Sequence, residues 1–411
     1  MTETAELDNW LSPAMLDDPY AIYRQLRDSD PVHWNALTRV WVLTRHADVA
    51  AAIQDRRLAS TPSPEGRFSR PLAPEELQAL MAVVPYLMMF MQGMDPPAHT
   101  RQRALVQKAF TPRTIERLRP RVEEIVGAAL DRAVPAGAIE LMEDLAAPLP
   151  AIIIMEMLGV PADGHALVRD AAAAISEFLS LVDPHPGQLQ ELAARLAAFA
   201  GYLAPLLAGR RTDPQDDLLS ALVAAELDGE RLGEPELLVL TTMLLFAGHE
   251  TTTNLIGNGA LALAQHPDQW ALLRADPGLV APAVEEMLRF DTPVQIVPRW
   301  VKEPLELGGQ RLEPGQRLLL NFAAANRDPA FAPDPDRFDI RRPPARHLSF
   351  GHGLHFCLGA ALARIEAQAV FSALARRCSA IALDPDRPPT RKPNMALRGL
   401  ASLHLRLSPT T

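Results

Sequence analysis

Between Pro235 and Gln265 the sequence reads as one long helix with almost no polar face, since Leu237, Leu238, Leu240, Leu244, Leu245 and Phe246 crowd its first half. A helix apolar all round must be buried by other elements. In its middle, however, stand Gly248, His249, Glu250, Thr251, Thr252 and Thr253, which form helix poorly or are costly to bury. A threonine hydroxyl can bond the carbonyl one turn back, Ala247 for Thr251, and so bend or open the helix. A segment that defies local preference marks a candidate functional site, the alternative being a helix that surfaces at its midpoint.

So long a buried helix needs a helical surround. The 38 prolines are spread as punctuation between periodic segments, with no linker among them. Apolar spacing predicts helices over Asp17–Asp28, Asp48–Ile53, Ala98–Phe110, Thr114–Ala133, Ala147–Leu158, Gly164–Leu179, Gln188–Leu207, Asp216–Ala225, Pro267–Ala275, Leu279–Phe290 and Ala360–Arg377. Short strands fit Val32–Trp34 and Trp41–Thr44 as a hairpin, then Val294–Val301, Leu305–Leu307, Arg317–Asn321 and Leu400–Arg406. The expectation is a mainly α chain with small β-sheets, one domain over 1–411.

Charge narrows function. Forty basic against 50 acidic residues give a net charge of −10, which argues against nucleic acid as the main partner. The acidic, polar MTETAELDNW start has no signal-peptide pattern, and the runs Ala82–Met91 and Leu237–Gly248 are shorter than a membrane span, so a cytoplasmic protein without a membrane anchor is expected. Two cysteines, Cys357 and Cys378, exclude a disulfide framework.

Phe350 to Gly359 reads FGHGLHFCLG and runs into the alanine-rich pattern from Ala360. Cys357 thus sits in a tight loop at a helix N-terminus, where free N–H groups, the helix dipole and close backbone approach all favour a thiolate. A buried thiolate needs a cation, and a metal is the natural candidate. Spacing alone leaves the metal open, because His347, His352 and His355 could complete a zinc site.

Phe350, Gly353, Cys357 and Gly359 fill the FxxGxxxCxG signature, and with the rest of the chain the pattern resembles the cytochrome P-450 family of haem-thiolate monooxygenases, in its soluble bacterial type. The resemblance runs from about Asp18 to Leu405. It implies the cytochrome P-450 fold, with haem between the long distal helix and the helix that follows the cysteine loop. Cys357 would ligate the iron, framed by Phe350, Gly351 and Gly359, and oxygen would sit beside Ala247 and Gly248. Thr251 and Glu250 would be catalytic, assisting proton delivery and O–O scission. Glu286 and Arg289 match the family's ExxR pair, with Arg337 as the third member. His99, Arg103, Arg299 and His347 match its propionate ligands. The pocket would be lined by Met88, Met89, Met91, Phe178, Leu244, Val294, Ile296, Val297 and Met395, with Gln295 and Asn394 placed to orient a polar end.

The implied reaction is hydroxylation or epoxidation of an apolar small molecule, terpenoid, polyketide or fatty-acid-like, by O2. Its cofactor is haem b, and NAD(P)H electrons arrive at a monomer from ferredoxin and ferredoxin reductase. Arg101 to Arg121 holds seven basic residues and one acid, and with Arg341, Arg342 and Arg346 would dock an acidic ferredoxin. Two other readings remain: a zinc-stabilised helical binding protein using His352, His355 and Cys357, and a haem-thiolate enzyme that uses peroxide or rearranges its ligand.

Overall fold

The computed structural model of the chain describes residues 7–10, 12–61, 73–88, 90–180 and 185–410. After a short helix, Pro13–Asp17, comes α1 (Pro19–Ser29), which Asp18 caps by accepting from the Tyr20 N–H. The predicted hairpin follows as β1 (Val32–Asn35) and β2 (Val40–Leu43), and later β3 (Leu58–Ala59). Then come α2 (Pro74–Met88), α3 (Ala98–Ala109), α4 (Arg119–Ala136) and β4 (Ala138–Glu140). After these lie α5 (Pro148–Leu158), α6 (His165–Ser180), α7 (Pro186–Thr212) and the long α8 (Glu234–Gln265). The last third holds α9 (Pro267–Ala275), α10 (Val280–Phe290), β5 (Ile296–Val301), β6 (Arg317–Asn321), α11 (Ala360–Arg377), β7 (Cys378–Leu383) and β8 (His404–Pro409).

Several helix and strand bounds differ from those the sequence predicts. The helix predicted over Thr114–Ala133 is two, Pro112–Glu116 and α4, because Pro120 has no N–H to continue a ladder and instead sits in the first turn of a new helix. The strand predicted over Leu400–Arg406 splits at Leu403: Leu400–Ser402 pairs with Thr390–Arg391, and β8 pairs with β7 and β4. Helix α2 was not predicted, its apolar run having no clear stripe. In the main sheet, ordered β1-β2-β6-β5-β3, β6 lies parallel to β2 and antiparallel to β5, and its Leu318, Leu319 and Leu320 are all buried. A central strand covered on both faces needs that continuous apolar run.

Helix α8 is the axis of the core, packed against α5, α6, α10 and α11. Its approach to α11 is close: a Cβ on Gly259 would come within 2.8 Å of the Phe371 ring and 2.6 Å of Met287 Sδ. Helix α7 is long and apolar enough to cross a membrane by length and composition alone, although its Leu189, Leu192, Leu196, Phe199, Leu203 and Leu207 are buried in the core.

Candidate active site

A cavity of about 280 Å3 separates the middle of α8 from the cysteine loop. Ala247, Gly248 and Thr251 line it from α8, and Phe350, Gly351, Cys357 and Gly359 line it from the loop. Thr251 donates to the Ala247 carbonyl at 2.7 Å, the back-bond that its position predicts. At Gly248 a Cβ would press within 3.3 Å of Ile154, so bulk there meets α5 as well as the cavity.

The loop turns through the left-handed region at Gly351 (φ 67°) and Gly353 (φ 66°), which glycine alone adopts without strain. The Cys357 N–H donates to the Phe350 carbonyl at 2.9 Å, folding the loop back under the Phe350 ring, over which the Arg364 guanidinium lies at 4.4 Å. Burial pushes the Cys357 thiol up. The N–H groups of Gly359 and Ala360 and the charges of Arg103 and Arg364 pull the other way without overcoming it. The dipole and loop effects therefore do not make a thiolate by themselves; a bound metal cation would.

One rim of the cavity collects cationic and imidazole side chains. His99 is 1% exposed with both ring nitrogens unpartnered, and its ring lies 4.2 Å from that of His355. Arg299 is buried, donates to the Pro298 carbonyl, and is lowered to about 10 by burial against the weaker pull of Asp95. Arg103 donates to the Phe356 carbonyl at 2.7 Å. Burial first, then the field of His99 and Arg299, lowers His355 to about 3, so at neutral pH it is uncharged. The buried Arg299 and the half-buried Arg103, neither with a carboxylate in contact, lie beside the unpartnered imidazole of His99 and suit an incoming group that brings its own carboxylates.

The structure corrects the sequence reading at several positions. His347 does not reach the cavity; it meets Glu285 at 3.2 Å, and His355 takes the place expected of it. Arg337 is largely exposed and meets only Asp339, at 3.7 Å. Arg342 completes the triad instead: Arg289 holds Glu286 in a two-pronged pair at 2.7 and 2.8 Å, and Arg342 Nε reaches both Glu286 oxygens at 3.2 Å. The Arg337 backbone carbonyl, by contrast, accepts from both arginines. Glu250 does not line the cavity and is bound to Lys392 at 2.8 Å.

Of the predicted pocket, Met91, Leu244, Val294 and Val297 line the cavity, whereas Phe178, Ile296 and Met395 do not. Met89 and the Met88 side chain lie outside the described residues. Asn394 accepts from the N–H groups of Ala396 and Leu397, and Gln295 donates to the Thr292 carbonyl, so both serve turns away from the cavity. Among the described residues no three His, Cys, Asp or Glu side chains gather to hold a metal, which removes the zinc reading of His352, His355 and Cys357.

A half-buried thiol facing a threonine-bearing helix across an apolar cavity with a basic rim fits a haem-thiolate site, and the sequence relationships agree with that class of protein. The cytochrome P450 family model matches residues 86–276 and 278–406. The vitamin D(3) 25-hydroxylase of Pseudonocardia autotrophica is 41% identical over 99% of this chain and 98% of its own length. The monooxygenase PikC of Streptomyces venezuelae is 43% identical over 95% of this chain and 91% of its own. The solved structure of PksS, a polyketide synthase cytochrome P450 of Bacillus subtilis 168, superposes with a TM-score of 0.86 at 36% identity, covering 97% of this chain and 99% of that one. The chain belongs to the cytochrome P450 family: it is a haem-thiolate monooxygenase, an oxidoreductase that uses haem b and takes NAD(P)H electrons through redox partner proteins.

Proposed function

We propose that the protein hydroxylates or epoxidises an apolar small molecule of polyketide, terpenoid or steroid-like size, as one cytoplasmic, monomeric domain supplied with electrons by a ferredoxin and its reductase. The observation that carries this reading is the cavity itself, in which Met91, Leu244, Val294 and Val297 form apolar walls between Thr251 and Cys357. The names of the relatives, a vitamin D hydroxylase, PikC and PksS, support the substrate class.

Cys357 would bind the iron of the haem, and Arg103, Arg299, His99 and His355 would hold its carboxylates. Bound there, the haem supplies oxygen activation, which thiolate ligation favours. The chain's own part is to bind, orient and manage protons. The apolar walls desolvate substrate and exclude bulk water. Thr251, its proton committed to the Ala247 carbonyl, offers lone pairs toward the cavity and steadies a water there. Glu250, held by Lys392, is one helix position away and passes protons from solvent when that pair opens.

The test is the optical spectrum of the reduced protein with carbon monoxide, with and without Cys357→Ala. A thiolate-type band in the parent that is lost in the variant, together with ferredoxin-dependent oxidation of apolar substrates, is the expected outcome. An imidazole-type band in the parent overturns the assignment of Cys357.

A further inference from the structure

One wall of the cavity, formed by Pro293, Val294 and Val297, belongs to the stretch that runs from the end of α10 into β5. Packing cannot fix such a wall from the cavity side, where no protein atoms meet it. Its place is set by whatever holds it from behind.

Behind it lies a polar knot of Asp291, the first residue past α10, with Arg398 and with Asn258 of α8, all three buried and none lining the cavity. Arg398 commits its donors to separate pieces of chain. Its Nε donates to Asp291 Oδ1, and its Nη1 and Nη2 donate to the Leu16 and Asp17 carbonyls, each at 2.8 Å. Its backbone N–H donates to the Pro293 carbonyl at 2.7 Å. Asn258 Nδ2 then ties the Arg398 and Asp291 carbonyls together, at 3.0 and 3.3 Å. Because Asn258 follows Leu255, a cavity residue, by three positions, the knot also registers the wall against α8. Next to Arg398 in sequence, Leu397 bridges to Val294, and the Ala396 carbonyl accepts from the Gln295 N–H at 2.8 Å.

Burial raises the Asp291 carboxyl, but the charges of Arg398, Arg391 and Arg327 outweigh it and hold it below the ordinary carboxylate range. A buried ion pair is a poor device for stability alone, since apolar groups of similar volume often serve as well. What it adds here is direction, because the planar guanidinium fork fixes the groups that it joins.

We propose that Arg398, oriented by Asp291 and backed by Asn258, is a positioning residue for substrate selection: it fixes the 293–297 wall, and through it the shapes of molecule the cavity accepts, without touching substrate. The role rests on the monooxygenase reading, whereas the hold on the wall does not.

The test is optical titration of the haem-loaded protein with imidazole and with 4-phenylimidazole. Imidazole needs room only for its own ring, while the rigid phenyl group of the second probe must also fit against the wall. Arg398→Met keeps side-chain bulk and removes the donors. In it the ratio of the 4-phenylimidazole Kd to the imidazole Kd should rise about tenfold, part of the roughly 10²-fold that a misplacement of about 1 Å can cost. Asn258→Ala, which leaves the ion pair whole, should raise the ratio by a smaller factor. Arg398→Lys, which keeps a charge for Asp291, should recover part of the loss. Arg210→Met is the control: it breaks a pair with Asp217 at 2.6 Å, away from the cavity lining, and should lower the melting temperature with the ratio unchanged. Parent-like ratios in both Arg398→Met and Asn258→Ala, or an equal rise in Arg210→Met, mark the knot as structural and overturn the proposal. If the parent binds neither probe, the haem reading fails separately. Hydrogen exchange of the 294–297 amides, which needs no haem, then decides whether Arg398 holds the wall. Faster exchange in Arg398→Met than in the parent and Arg210→Met is expected, and parent-like exchange overturns the proposal.

Discussion

Thr251 and Arg342 show how much a single side chain's direction decides. With its proton donated to Ala247 at 2.7 Å, the Thr251 hydroxyl lines the cavity as an acceptor, the polarity that would hold a water there. Thr251→Ala should leave the haem spectrum intact yet divert reducing equivalents to peroxide, cutting product per NAD(P)H roughly 10²-fold at the low end of acid–base effects, and Thr251→Ser should restore most of it. Parallel assays of NAD(P)H consumption, peroxide and product check this. At the triad, Arg342→Ala removes two contacts to a buried carboxylate and should cost about 1–3 kcal/mol of stability. Arg337→Ala should stay within about 0.5 kcal/mol, as surface changes do, because only its backbone carbonyl touches the triad. Denaturant melts of the two variants separate these expectations.

At the scale of elements, α10 and α11 are joined by Glu285, which Arg364 grips through two bonds at 2.7 and 2.9 Å and His347 meets at 3.2 Å. Burial raises the Glu285 carboxyl, but the bonds from Arg364 and His347 outweigh it and hold it at about 2. A carboxyl lower in the folded state than in the unfolded one stabilises above the ordinary carboxylate pKa of about 4.3, and that contribution is lost as pH falls from there through about 2. Arg364→Met should therefore flatten the acid limb of a stability-against-pH curve below pH 4, with a smaller stability than the parent at pH 7; an unchanged acid limb would count against the clamp. Elements with strong signals were legible from sequence: Pro267–Ala275 and Ala360–Arg377 begin and end as predicted, because proline in the first turn and the glycine-framed loop mark their starts. The Cys357, Gly248 and Thr251 cluster was legible too, since each breaks a local preference. The choice between His347 and His355, or between Arg337 and Arg342, was not. Side-chain direction in irregular loops follows from tertiary contacts and has no period to read.

Over the whole molecule, charge that looked concentrated in the sequence is largely spent within the fold. Of the seven basic residues from Arg101 to Arg121, four are in ion pairs: Arg101 with Glu236, Arg117 with Asp216, Arg119 with Glu116, and Arg121 with Glu156. Lys108 donates to the Glu226 carbonyl and Arg103 to that of Phe356, while Arg342 is committed to Glu286. A partner approaching the cysteine side meets a weaker field than the sequence sum suggests, beside two exposed apolar side chains of the cysteine loop, Leu354 and Phe356. An acidic ferredoxin should thus reduce the protein with shallow salt dependence: a fall of less than about tenfold from low to physiological ionic strength, where strongly steered pairs gain 10–10³-fold. Leu354→Ser should weaken ferredoxin-driven turnover more than Arg113→Ser, the apolar contact outweighing a single rim charge, and stopped-flow reduction at several ferredoxin concentrations measures both. A steep salt slope, or a larger effect of Arg113→Ser, would restore electrostatic steering as the main driving force of association and place the docking energy on the arginines.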